Sequence, residues 1–129
     1  MSLFSRFKSK AKPQTSLDAS EAKELNAALM AYVHTFPRPD RLEAHLEILG
    51  KLERKAEVEA RLQIALKCTE NFLYAQVGGV RWNEKFETAL FEHVVQSSPW
   101  LSKPAFLSLV SFGGWLCWHE GLNAEQTGA

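Results

Sequence analysis

A chain of 129 residues, 46% of them hydrophobic and with four Trp and eight Phe, has the size of one domain and enough apolar side chain for a core without disulfides or a structural metal. Its fifteen Lys and Arg balance fifteen Asp and Glu, yet Arg6, Lys8, Lys10 and Lys12 stand in an acid-free opening stretch, which leaves the rest near −4 with eleven basic against fifteen acidic residues. That sign excludes nucleic acid as the main partner, because neutralising phosphates needs a basic folded surface. The opening residues also lack the run of about 7 to 15 apolar residues that a secretory signal needs. Cys68 and Cys117 both fall inside apolar helical sequence, which fits buried reduced thiols in a cytoplasmic protein.

In chain order, residues 1–16 read as a flexible basic leader in which Leu3, Phe4 and Phe7 would share one side of a short helix. Membrane contact, if any, is expected only through residues 1–12, peripherally at the inner membrane surface. A single helical domain is expected over 17–121, followed by a flexible polar tail over 122–129. Asp18 and Glu21 have capping-box spacing and open a first helix, whose stripe Leu25, Leu29, Tyr32, Val33 and Phe36 runs up to Pro37 and Pro39. Asp40 and Glu43 repeat that opening signal for a second helix, with Leu42, Leu46, Leu49 and Leu52 on one face beside His45. The next stripe, from Val58 through Leu62, Ala65 and Leu66, is out of phase by about 240° at 100° per residue, which predicts a break between Gly50 and Ala56. The charged run from Lys51 to Arg61 is expected to be a solvated face, with Glu57 and Arg61 paired along the helix.

A third helix is predicted over 57–76, closed at Gly78 and Gly79. A fourth, over 82–96, buries Trp82, Phe86, Ala89, Leu90, His93 and Val94 and shows Asn83, Glu84, Glu87 and Glu92 outwards. The fifth begins with Ser102 as its cap and Pro104 in its first turn, and ends at Gly121. From Pro104 to Trp118 it holds no charge and no polar face, so burial on all sides is expected. Gly113 and Gly114 would let a neighbouring helix approach closely. The expectation is therefore an all-α fold, a compact bundle of about five helices around a buried apolar C-terminal helix.

Leu49 and Gly50, followed by Val58, Leu62, Ala65 and Leu66, resemble a tetratricopeptide repeat, whose first helix carries a Leu-Gly and whose second carries spaced small residues. The turn is about four residues short of that family's and lacks its glycine, and no second 34-residue copy follows. The resemblance implies a helical hairpin and not membership.

Catalytic and metal-binding patterns are missing. None of His34, His45, His93 and His119 has a Glu three residues earlier, as the di-iron bundles require. Ser108 and Ser111 read as hydroxyls bonded back to the preceding turn. Cys117 lies near a helix C-terminus, where the macrodipole opposes a thiolate. No cofactor is expected. The expected function is a non-catalytic protein–protein interaction module of adaptor, chaperone-like or toxin-neutralising immunity type, with Trp82, Glu84, Glu87, Trp100, His119 and Glu120 as candidate interface. The alternatives are a peripheral membrane protein that uses the basic segment, and a small-ligand or metal-binding bundle built on His45, His93 and the tryptophans.

Overall fold

A computed structural model describes residues 18–124; the basic leader and residues 125–129 lie outside the described residues. Among these, five helices form the expected all-α bundle: α1 (Ala19–Tyr32), α2 (Pro39–Ile48), α3 (Lys55–Tyr74), α4 (Glu84–Ser97) and α5 (Lys103–Glu120). Helix α5 packs against α1, α3 and α4, and α3 touches all four other helices. Leu109, Ala105 and Cys117 of α5 lose all exposure, as do Leu29, Leu42, Leu62, Leu90 and Val94 from the other four helices. Each such leucine contributes on the order of 2 kcal/mol of burial.

The helix ends follow local chemistry. The Asp18 carboxylate accepts from the Ser20 amide at 3.1 Å, the Asn83 side chain from Phe86 at 2.8 Å and the Ser102 hydroxyl from Ala105 at 3.3 Å. Gly121, at φ +70°, closes α5 in the left-handed conformation, where any other residue would be strained. The predicted break is present: α2 closes where the Lys51 amide reaches back to the Leu46 carbonyl at 2.8 Å, and a 3-10 turn, Leu52–Arg54, leads into α3.

Several expectations are corrected. The first helix stops at Tyr32, and Val33–His34 (β1) and Phe36–Pro37 (β2) make a two-residue antiparallel ladder about Thr35. The Arg38 amide closes it on the Tyr32 carbonyl at 2.7 Å. Spacing alone could not reveal this, because Val33 and Phe36 keep the helical phase of the preceding stripe. No side chain caps α2; Pro39 starts it instead, its fixed φ suiting the first turn. Leu49 and Leu52 are exposed. Glu57 does not pair with Arg61: Arg61 reaches Glu21 at 3.2 Å, while Arg54 pairs with Glu24 at 2.7 Å and Lys51 joins the same carboxylate. The charged run therefore fastens α1 to the α2–α3 turn as well as meeting solvent.

Two polar clamps position α5. The Asn26 amide group donates to the Trp100 carbonyl at 2.7 Å and its oxygen accepts from the Ser102 amide at 2.8 Å, which ties the middle of α1 to the first turn of α5. At the other end Leu122 to Ala124 do not leave the domain as a tail. Val80 donates to Leu122 at 2.9 Å and accepts from Ala124 at 2.9 Å, a parallel bridge that holds the residues after α5 against the α3–α4 connection.

Candidate interaction surface

Helix α5 is not buried on all sides. Leu107 is 62% and Trp118 73% exposed, with exposed Ser111 and half-buried Gly114 between them. At 100° per residue these four fall within about 60° of one another, on a ridge about 16 Å long. The other faces of the helix supply the core, so the uninterrupted apolar sequence serves two surfaces. A charge-free ridge that carries two exposed large apolar side chains, Leu107 and Trp118, is a candidate interaction surface.

On one flank of the ridge lies the β1–β2 hairpin. Phe36 stands 5.6 Å from the Trp115 ring, Trp115 stacks on His119 at 5.0 Å, and the Arg38 guanidinium lies 4.6 Å from the Phe36 centroid. Met30, Val33, His34, Thr35, Leu107 and Ser111 line a groove of about 360 Å³ between hairpin and ridge, with Ser108 on the same wall. The two serines predicted to bond back into the helix thus face a concavity; Thr69 makes such a bond, to the Ala65 carbonyl at 2.9 Å. Thr35, at φ +84°, is the non-glycine residue held left-handed among the described residues. For a β-branched side chain that conformation costs about 1–3 kcal/mol, and strain of this kind concentrates at functional surfaces.

On the other flank, between α4 and α5, a groove of about 620 Å³ has Phe91, Pro104, Phe106 and Leu107 as its apolar lining and Glu84, Glu87 and Glu92 around it. Phe91 and Phe106 meet edge to face at 5.2 Å, and the Lys103 ammonium lies 5.4 Å from the Phe91 centroid. Among the described residues Glu21, Glu24, Glu57, Glu59 and Glu70 all pair with Lys or Arg. The three groove carboxylates have no such partner there, and set against Lys103 they leave the groove lining net negative.

The residues expected at an interface are thus dispersed. Glu84 and Glu87 line this groove, and His119 and Glu120, 2.9 Å apart, are exposed at the C-terminal end of the ridge. Trp82 is half-buried, its ring packed onto Gly113. The contact foreseen for the Gly113–Gly114 pair is made by that ring at Gly113, while Gly114 opens on free space. Trp100, in the connection between α4 and α5, is only 5% exposed and belongs to the core. The tryptophan that does reach solvent is Trp118, masked in the sequence by its place inside an apolar run.

Among the described residues no three His, Cys, Asp or Glu side chains gather as a metal site. His93 lies 4.8 Å from the Phe72 ring, as a packing partner. Burial pushes the Cys117 thiol up, with partial relief from the neighbouring Trp82 indole, so it stays protonated rather than nucleophilic. The Tyr74 phenol is also raised, first by local desolvation and then by the Glu120 carboxylate. No helix of the described residues is long and apolar enough to cross a membrane. Compared with known proteins, the chain matches no family model, no curated sequence and no solved structure.

Proposed function

We propose that the protein is a non-catalytic, cytoplasmic protein–protein interaction module that holds its partner on the exposed ridge of α5. The observation that carries this reading is the exposure of Leu107 and Trp118 on a helix whose other faces form the core. Tryptophan is enriched among interface anchors, and here it stands at the end of a stripe already free of charge. The flanking carboxylates Glu84, Glu87 and Glu92 favour a protein partner over an anionic bilayer, which would repel them. The two free thiols, Cys68 and Cys117, suit a reducing compartment.

The test is capture from the native cell extract with the wild-type chain and with Trp118→Ala. A partner held by the wild type and lost by more than tenfold in affinity with Trp118→Ala, while the thermal midpoint stays within a few degrees, supports the reading; about 2 kcal/mol or more is the usual contribution of such an anchor. Equal capture by both proteins would count against it. Adaptor, carrier and toxin-neutralising roles share this ridge and separate on one further measurement, whether the captured protein keeps its activity when bound.

A further inference from the structure

The groove between α4 and α5 lies beside the ridge and has a chemistry of its own. Its lining is aromatic and aliphatic, from Phe91, Pro104, Phe106 and Leu107, and its charged residues are Glu84, Glu87 and Glu92 against the one cation Lys103. An occupant that fits must therefore offer apolar anchors flanked by positive charge. The chain contains such a segment. Set at 100° per residue, Leu3, Phe4, Phe7 and Ala11 of the sequence fall within about 100° of arc, with Arg6 and Lys10 on one side of it and Lys8 and Lys12 on the other. Those four are the basic residues of a stretch without acids, in a chain whose remainder is net acidic.

We infer that the α4–α5 groove is the docking site of the chain's own residues 3–12, which lie outside the described residues. Leu3, Phe4 and Phe7 enter against Phe91, Phe106 and Leu107, and the flanking Arg6, Lys8 and Lys10 meet Glu84, Glu87 and Glu92. Along the helix axis the connection is long enough. Asn26 is clamped to Trp100 and Ser102 at the groove end of α5. From Asn26 back to Asp18 is about 12 Å of helix at 1.5 Å per residue, and residues 13–17 can span about 17 Å when extended. Residue 12 can thus return to the level of Lys103. This inference goes beyond the proposed function: Leu107 is shared by groove and ridge, but Trp118 belongs to the ridge and does not line the groove, so Trp118→Ala tests the one and the leader variant the other.

The experiment compares amide NMR spectra of the full chain with those of the Phe4→Ser/Phe7→Ser variant. Docking predicts that the amides of Thr88, Phe91 and Leu107 shift in the variant, and that these wild-type positions do not change on dilution. A Glu84→Gln/Glu87→Gln/Glu92→Gln variant of the full chain supplies a second readout. Trypsin cleavage after Arg6, Lys8 and Lys10 should become about tenfold faster, because cleavage follows the undocked population. Groove amides that ignore the leader substitutions, or equal cleavage rates, would overturn the inference. Shifts that vanish on dilution would overturn it too, in favour of a second copy as the occupant.

Discussion

The Tyr32 hydroxyl fastens α1 to α3: it donates to Glu59 at 2.8 Å and accepts from the Gln63 amide at 2.6 Å. Burial is the main reason its phenol is pushed from 10.0 up to about 12, with the Glu59 carboxylate adding to the rise. Because the fold holds the proton more tightly than the unfolded chain does, this contribution is fully present below pH 10. It is lost as the pH climbs from about 10 through about 12, where the unfolded state releases its proton first. The unfolding midpoint in urea should therefore fall across that window. Lysines titrate there as well, so the informative comparison is with Tyr32→Phe, which should lose about 1–2 kcal/mol at neutral pH and show a shallower alkaline decline. Equal alkaline slopes for the two proteins would refute the assignment.

Within α5 the two adjacent glycines should respond in opposite directions. A Cβ on Gly113 would stand 2.9 Å from Cη2 of Trp82 and 3.2 Å from Cδ1 of Leu73, whereas one on Gly114 would meet nothing within 4 Å. Gly114→Ala should stabilise the protein by about 0.5–1 kcal/mol through helix propensity alone. Gly113→Ala gains the same propensity but forces a packed indole to move, so a net loss of about 1–2 kcal/mol is expected; thermal melts of the two variants measure both. Element ends were legible at Asp18, Ser102 and Gly121, because a cap is a local bond that the residue itself supplies, whereas Asn83 read as part of the outer face of α4 and caps it instead. Elements without such a signal were harder: the Thr35 hairpin continues a helical spacing, and α2 starts on a proline with no capping side chain. The acid rim was legible as a face, Glu84, Glu87 and Glu92 all standing on a visibly polar side, but the groove beneath it was not. Trp118 and Leu107 were hidden because the run contains no charged residue to mark which side meets water, and Ser108 and Ser111 read as bonded back into the helix. Asn26 escaped notice for a related reason: its partners are backbone groups more than seventy residues away.

At the scale of the whole molecule, one helix is asked both to organise the core and to present a surface, and this divides its residues into two classes that look alike in sequence. Leu109 is fully buried and Leu107 is 62% exposed, two positions apart on the same helix. Truncating Leu109 removes a side chain from a close-packed interior, so Leu109→Ala should cost about 2–5 kcal/mol. Truncating Leu107 leaves no cavity, and Leu107→Ala should change stability by no more than about 0.5 kcal/mol. If the ridge serves only solubility or folding, both variants will bind as the wild type does whenever they are folded. If it serves a partner, affinity and stability will separate: Leu107→Ala should melt with the wild type yet bind weakly, while folded Leu109→Ala should bind normally. Denaturation curves and binding isotherms on the same preparations decide this. A parallel fall of stability and binding in Leu107→Ala would return the ridge to the core.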